Sequence, residues 1–164
     1  MTNSTISSNT AGDDGGGIAS INGNIELNNV TLSDNDAGDE GGGVFLINDS
    51  HNLTNVTLSG NEANDGGGIA FAGTTTSVDL TNVTIANNTA SNNGGGIFNR
   101  NGQADADVES TIVSGNMATN YANVDPDHFD NLGSNLIGDD HNLLLGDLAD
   151  NCLLYTSPSP RDRG

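Results

Sequence analysis

NVTLSDNDAGDEGGGVF at residues 29–45 recurs as NVTLSGNEANDGGGIAF at 55–71 and NVTIANNTASNNGGGIF at 82–98, and NSTISSNTAGDDGGGIA at 3–19 is a fourth copy. Each unit holds a V-T-[LI] strand, an Asn three residues on, an Ala, a short Asp/Asn turn, and three glycines before an apolar residue. STIVSGNMA at 110–118 keeps the strand and the Asn but loses the glycines. The turn asparagines Asn9, Asn35, Asn61, Asn88 and Asn116 are spaced by 26, 26, 27 and 28 residues. Self-similarity at this period is the mark of a solenoid.

Within a unit the apolar residues alternate, as in strands with one buried face. The third unit shows Ile69-Ala70-Phe71, Val78-Asp79-Leu80 and Val83-Thr84-Ile85. Three short strands cannot bury themselves alone, but stacked coil on coil each pairs in parallel with its copies. No segment has a 3.6-residue period, so crossover helices are not expected. The fold class that follows is all-β, a right-handed parallel β-helix of four to five coils, rising about 4.8 Å per coil. Val30, Leu32, Val56, Leu58, Val83 and Ile85 are expected inward. Asn9, Asn35, Asn61, Asn88 and Asn116 are expected to stack, because an amide carries both donors and an acceptor and tolerates sharp corners. The glycine triplets suit a turn of positive φ where backbones approach closely, and Ala11, Ala37, Ala63, Ala90 and Ala118 a tight inward corner.

These units resemble the repeats of polymorphic outer membrane proteins and related pectin-lyase-like β-helices, over residues 1 to about 125. The resemblance rests on N-V-T-[IL]-S-x-N-x-A…G-G-G-[IV]. Leu132–Asp139 and Leu145–Asn151 resemble the segment closing such helices in secreted proteins with C-terminal anchoring signals. The resemblance implies an extracellular or cell-surface location, with neighbouring coils of a larger exported protein as first partners. The expected divisions are repeats at 1–125, an irregular closing segment at 126–151, and a tail at 152–164. That tail, CLLYTSPSPRDRG, holds the only Cys and two of the three Pro, and resembles translated sequencing-adapter read-through.

The net charge is −19, from 22 acidic and 3 basic residues, none of them Lys. Before residue 152, Arg100 stands alone against 21 acids. Such a chain repels polyanions, so nucleic acid and anionic membrane surfaces are not expected partners. A hydrophobic fraction of 33% is thin for a globular core and ordinary for a solenoid. No apolar stretch is long enough for a membrane helix, so no direct insertion is expected.

The acidic turns Asp13-Asp14, Asp39-Glu40 and Asp65 precede the glycine runs in successive coils. Carboxylates about 5 Å apart repel, and Ca²⁺ would relieve that; a solvated acidic edge is the alternative. No other cofactor is expected. The sequons at Asn29, Asn55 and Asn82 fit glycosylation, or simply a fold that wants Asn at a corner, Val inward and Thr outward. Phe45 and Phe98 are expected outward on one sheet, aligned with Ala19 and Ala70, where they would stack on a surface glycan or stand as scattered aromatics. His51, His128 and His141 share no metal-ligand spacing and read as loop histidines. A uronate lyase needs cations and a base, and a glycoside hydrolase needs two carboxylates across a cleft. With one cation and acids confined to repeated turns, the expected role is a non-catalytic stalk or adhesin-like module. A fragment of a polysaccharide lyase or glycoside hydrolase is the alternative reading.

Overall fold

In the computed structural model, residues 1–100, 104–125, 129–131 and 134–138 are described. The closing stretch beyond 138, His128, His141 and the 152–164 tail lie outside these residues. The chain winds as a parallel β-solenoid of about five turns. The first turn comprises β1 (Thr2–Ser7), β2 (Thr10–Ala11) and β3 (Ile18–Ile21). The second comprises β4 (Ile25–Ser33), β5 (Asp36–Ala37) and β6 (Val44–Ile47), and the third β7 (Ser50–Ser59), β8 (Glu62–Asp65) and β9 (Ile69–Ala72). In the fourth the long strand divides into β10 (Ser77–Thr81) and β11 (Thr84–Ala86), followed by β12 (Thr89–Asn93) and β13 (Ile97–Asn99). The fifth holds β14 (Asp105–Glu109) and β15 (Ile112–Ser114); β16 (Phe129–Asn131) and β17 (Leu136–Gly138) follow. No described residue is α-helical.

Each strand pairs in parallel with its repeat equivalents, giving three sheets. The long sheet carries β1, β4, β7, β10, β11, β14, β15, β16 and β17. The short sheet is β2-β5-β8-β12, and the inner-corner sheet is β3-β6-β9-β13. Register follows the sequence repeat: Val30 faces Val56, and Leu32 faces Leu58, which is followed by Ile85 and Val113. Within 126–151, β16 pairs with β14 and β17 with β15, so the long sheet runs on past residue 125.

The core is a narrow column of aliphatic side chains, among them Leu27, Val30, Leu32, Leu46, Leu53, Val56, Leu58, Ile69, Leu80, Val83, Ile85 and Ile97, all buried. Phe71 is the bulkiest fully buried side chain among the described residues. Burying one such side chain contributes about 1.5–3 kcal/mol, which lets a thin column hold the coils together.

The corners are set by residues in the left-handed region. Asn3, Asn29, Asn55 and Asn82 bend the long strand at φ of 49–54°, which turns the following Val30, Val56 and Val83 inward. A second corner falls at Ser8, Asp34, Gly60, Asn87 and Gly115, one residue before each stacked asparagine. The positive φ expected of the stacked asparagines therefore belongs to their predecessors, four of which are Gly, Asp or Asn, the residue types that most readily adopt it.

The three glycines of a triplet are needed for different reasons. The first, as at Gly41 (φ 67°), turns left-handed. The second and third leave no room for a Cβ: at Gly42 it would lie 2.3 Å from the Glu62 carbonyl oxygen, and at Gly43 2.5 Å from that of Gly68.

Candidate functional site

Two axial columns of polar side chains arise from the repeat. The first is the asparagine column. Nδ2 of Asn9 donates to Oδ1 of Asn35 at 2.9 Å, that of Asn35 to Asn61 at 3.0 Å, that of Asn61 to Asn88 at 2.9 Å, and that of Asn88 to Asn116 at 2.9 Å. The backbone N–H of Asn35, Asn61 and Asn88 donates to the same acceptor in the following coil. The second amide hydrogen reaches back, as from Asn61 to the Leu32 carbonyl at 3.1 Å and from Asn88 to that of Leu58 at 3.0 Å. Each central amide thereby uses both donors and both lone pairs, so its burial leaves nothing unsatisfied. Asn116 in turn donates to Oδ1 of Asn123 at 3.0 Å. Asn123 lies only seven residues on, and its off-period position kept it invisible to repeat reading.

The second column is the acidic corner before each glycine triplet. Asp13 and Asp39 are exposed, Asp14 and Asp65 half-buried, and Glu40 buried. Asp14 Oδ1 accepts from the Glu40 backbone N–H at 3.1 Å. Asp65 Oδ1 accepts from the backbone and amide nitrogens of Asn93, at 2.9 and 2.8 Å. Arg100, just past β13, reaches two coils back and pairs with Glu40 Oε1 through both Nε and a terminal nitrogen. Only 6% of the Glu40 side chain is exposed, against 44% for Arg100. Glu40 Oε2 is buried without a hydrogen-bond partner. Burial pushes the Glu40 carboxyl above its ordinary value; the hydrogen bond and charge of Arg100 pull it down, and Asp14 and Asp65 push it further up. Among the described residues no three His, Cys, Asp or Glu side chains are grouped so as to hold a metal ion.

The aromatic pair stands differently from expectation. Ala19, Phe45, Ala70 and Phe98 do share one row of the inner-corner sheet. Phe45, however, is only 2% exposed and Phe98 is half-buried. The glycine corner folds back on this row: a Cβ on Gly66 would lie 2.6 Å from that of Ala70, and one on Gly94 2.7 Å from that of Phe98. Phe45 thus offers no open ring to a glycan. His51 also stands differently from expectation. It is no loop residue but lies fully buried on the long sheet, in register with Ile25 and Val78. Its Nδ1 accepts from the Ile25 N–H at 3.3 Å, and Nε2 donates to the Asn48 carbonyl at 2.7 Å. Alternation across Ser50–Thr54 carried that signal, since His51 and Leu53 share a face.

Residues 82–100 match the family model of the Chlamydia polymorphic membrane protein (Chlamydia_PMP) repeat. The matched unit fits a polymorphic membrane protein repeat on a β-helix. It runs from the corner Asn82 through the stacked Asn88 and the glycines 94–96 to Arg100. No curated protein and no solved structure gives a significant match.

Proposed function

We propose that the chain is a non-catalytic β-helical module of an exported protein, displayed on a cell surface as a stalk or adhesin-like scaffold. The carrying observation is what happens to the residues that break the repeat. His51 is bonded to two backbone groups, Arg100 is paired with Glu40, and Asn123 extends the asparagine column. A catalytic site grafted on a repeat fold would be built from such irregular residues. Here each supports the stack. A lyase would need a cation free to meet the substrate carboxylate, and Arg100 is committed to an internal partner. The match to the polymorphic membrane protein repeat supports surface display. In this reading the partners are neighbouring coils of the same protein and the glycans or proteins of an opposing surface.

The test is direct. The protein is incubated with pectate, alginate and neutral glycans, with and without Ca²⁺, and unsaturated products and new reducing ends are followed. No turnover is expected on any of them. Turnover on one would replace the scaffold with a polysaccharide lyase or glycoside hydrolase.

A further inference from the structure

Among the described residues, His51 is the one titratable side chain in an inward slot of the long sheet. Its register partners are Ile25 on β4 and Val78 on β10, and its ring is fully buried. Both ring nitrogens are engaged, Nδ1 by the Ile25 N–H at 3.3 Å and Nε2 by the Asn48 carbonyl oxygen at 2.7 Å. A backbone N–H can only donate, which fixes the tautomer: Nδ1 carries the lone pair and Nε2 the hydrogen. The ring thus ties the first residue of β4, in the second coil, to the turn that opens the third. The charged groups on the elements around it are Glu26 on β4, Asp49 in the turn and Asp79 on β10, all exposed. Glu26 and Asp79 alternate with the inward residues and so point to the outer face. The Met1 ammonium donates to the Glu26 carbonyl oxygen at 2.6 Å.

We propose that His51 is an acid-sensitive latch: a proton taken up at Nδ1 releases the start of β4 from the third coil and loosens the first two coils. Nδ1 is the only ring nitrogen with a lone pair to receive the proton. Once it holds one, an N–H faces the Ile25 N–H, and a hydrogen bond becomes a contact between two donors. The ring also becomes a cation inside an aliphatic column, where Leu27, Leu53 and Leu80 offer it no counter-charge. In the opened form water solvates both the charged ring and the Ile25 N–H, so acid favours opening. The effect is confined to one junction, because the inward residues at the equivalent positions, Ile25 and Val78, cannot titrate. The inference stands on this ring and its two bonds, and does not depend on surface display of the module.

Acid also neutralises carboxylates throughout this chain, so the test must separate one junction from that general change. Amide hydrogen exchange is measured on the full chain at pH 7.5 and pH 5.5, each rate being normalised to that of an unstructured peptide at the same pH. The Ile25 amide reports on the latch. The Val44 amide, which donates to the Gly68 carbonyl oxygen at 3.1 Å between the same two coils, is the internal reference. Free imidazole takes up a proton at about pH 6.5, and each pH unit below that shifts a one-proton opening up to tenfold. Protection of Ile25 should therefore fall about tenfold relative to Val44 between the two conditions. In His51→Gln, whose amide also accepts and donates but does not titrate, the two amides should keep their ratio. If that variant does not fold, the comparison of Ile25 with Val44 in the parent chain still decides. A relative change below twofold in the parent, or no protection of Ile25 at pH 7.5, overturns the proposal. So does the same tenfold change in His51→Gln, since His128 and His141 are present in both proteins.

Discussion

Two columns run the length of the stack, one residue per coil at the same rise, and they meet that spacing with different chemistry. An amide is both donor and acceptor, so an asparagine can bond to a copy of itself above and below; Asn35, Asn61 and Asn88 do so while buried. A carboxylate only accepts, and a copy of itself at the next level repels it. The acidic corner therefore varies from coil to coil. Asp14 takes a backbone N–H, Asp65 takes the N–H and amide of Asn93, and Glu40 takes a guanidinium from two coils away. A stack of identical residues is stable where the residue is self-complementary; elsewhere each level needs its own partner.

The comparison breaks first at the asparagine column. Asn61→Ala should leave the Asn35 backbone N–H and amide without their acceptor and the Leu32 carbonyl without its donor, all in the interior. Each orphaned buried group costs about 1–3 kcal/mol, so the loss should reach roughly 3–5 kcal/mol. For a chain of this length each kcal/mol shifts Tm by about 2–4 °C, placing the expected drop at roughly 6–20 °C in a thermal melt. Asn9→Ala removes the same side chain at the exposed end of the column, where water replaces its bonds. That variant should lose about 1 kcal/mol or less. Equal losses at the two positions would show that burial of the amides is not what makes the column stabilising.

The Glu40–Arg100 pair gives the next largest effect, and its sign is informative. A carboxyl whose folded-state pKa lies above its unfolded value is favoured protonated in the fold. Its stabilising contribution is full below the ordinary carboxyl range and is lost as pH rises through the raised value. At pH 7 the buried charge is a burden that Arg100 offsets. Arg100→Gln should therefore destabilise at pH 7 by about 1–3 kcal/mol, as a buried carboxylate loses its counter-charge, and by much less at pH 4. Glu40→Gln should melt at or above the parent temperature at pH 7, and that advantage should close as pH falls to 4. A Glu40→Gln variant that is less stable than the parent at pH 7 would show the ion pair to be net stabilising.

How far these features were legible in the sequence depends on whether a residue repeats. Val30, Leu32, Val56 and Leu58 were readable as inward because alternation and period agree there, and the asparagines because they keep their place in every unit. His51 reads as a loop residue because a polar side chain in an inward slot breaks the apolar alternation, and only Leu53 two positions on fixes the face. The burial of Phe45 is not legible because alternation gives the side of the sheet a residue faces but not whether that side is covered. The Arg100–Glu40 pair joins residues 60 apart, at non-equivalent positions of two units, which no period can indicate. Asn123 likewise occupies a ladder position out of phase with the repeat.

The smallest effect concerns the acidic corner as a whole, and whether it is a metal column or a solvated edge. With a net charge of −19, self-repulsion opposes the compact state, and added salt should raise the melting temperature by screening it. A bound divalent ion would add a further increment of RT ln(1 + [L]/Kd), about 2.7 kcal/mol at a hundredfold excess over Kd. The corner carboxylates are already drawn toward protein donors: Asp14 and Asp65 toward the next coil, Glu40 toward Arg100. Turning them toward an ion would strip a backbone N–H from each aspartate. Millimolar Ca²⁺ should therefore raise Tm no more than NaCl of matched ionic strength, by a degree or two. A Ca²⁺-specific rise that Asp14→Asn and Asp65→Asn abolish would restore the metal column and show that the ion outcompetes those backbone donors.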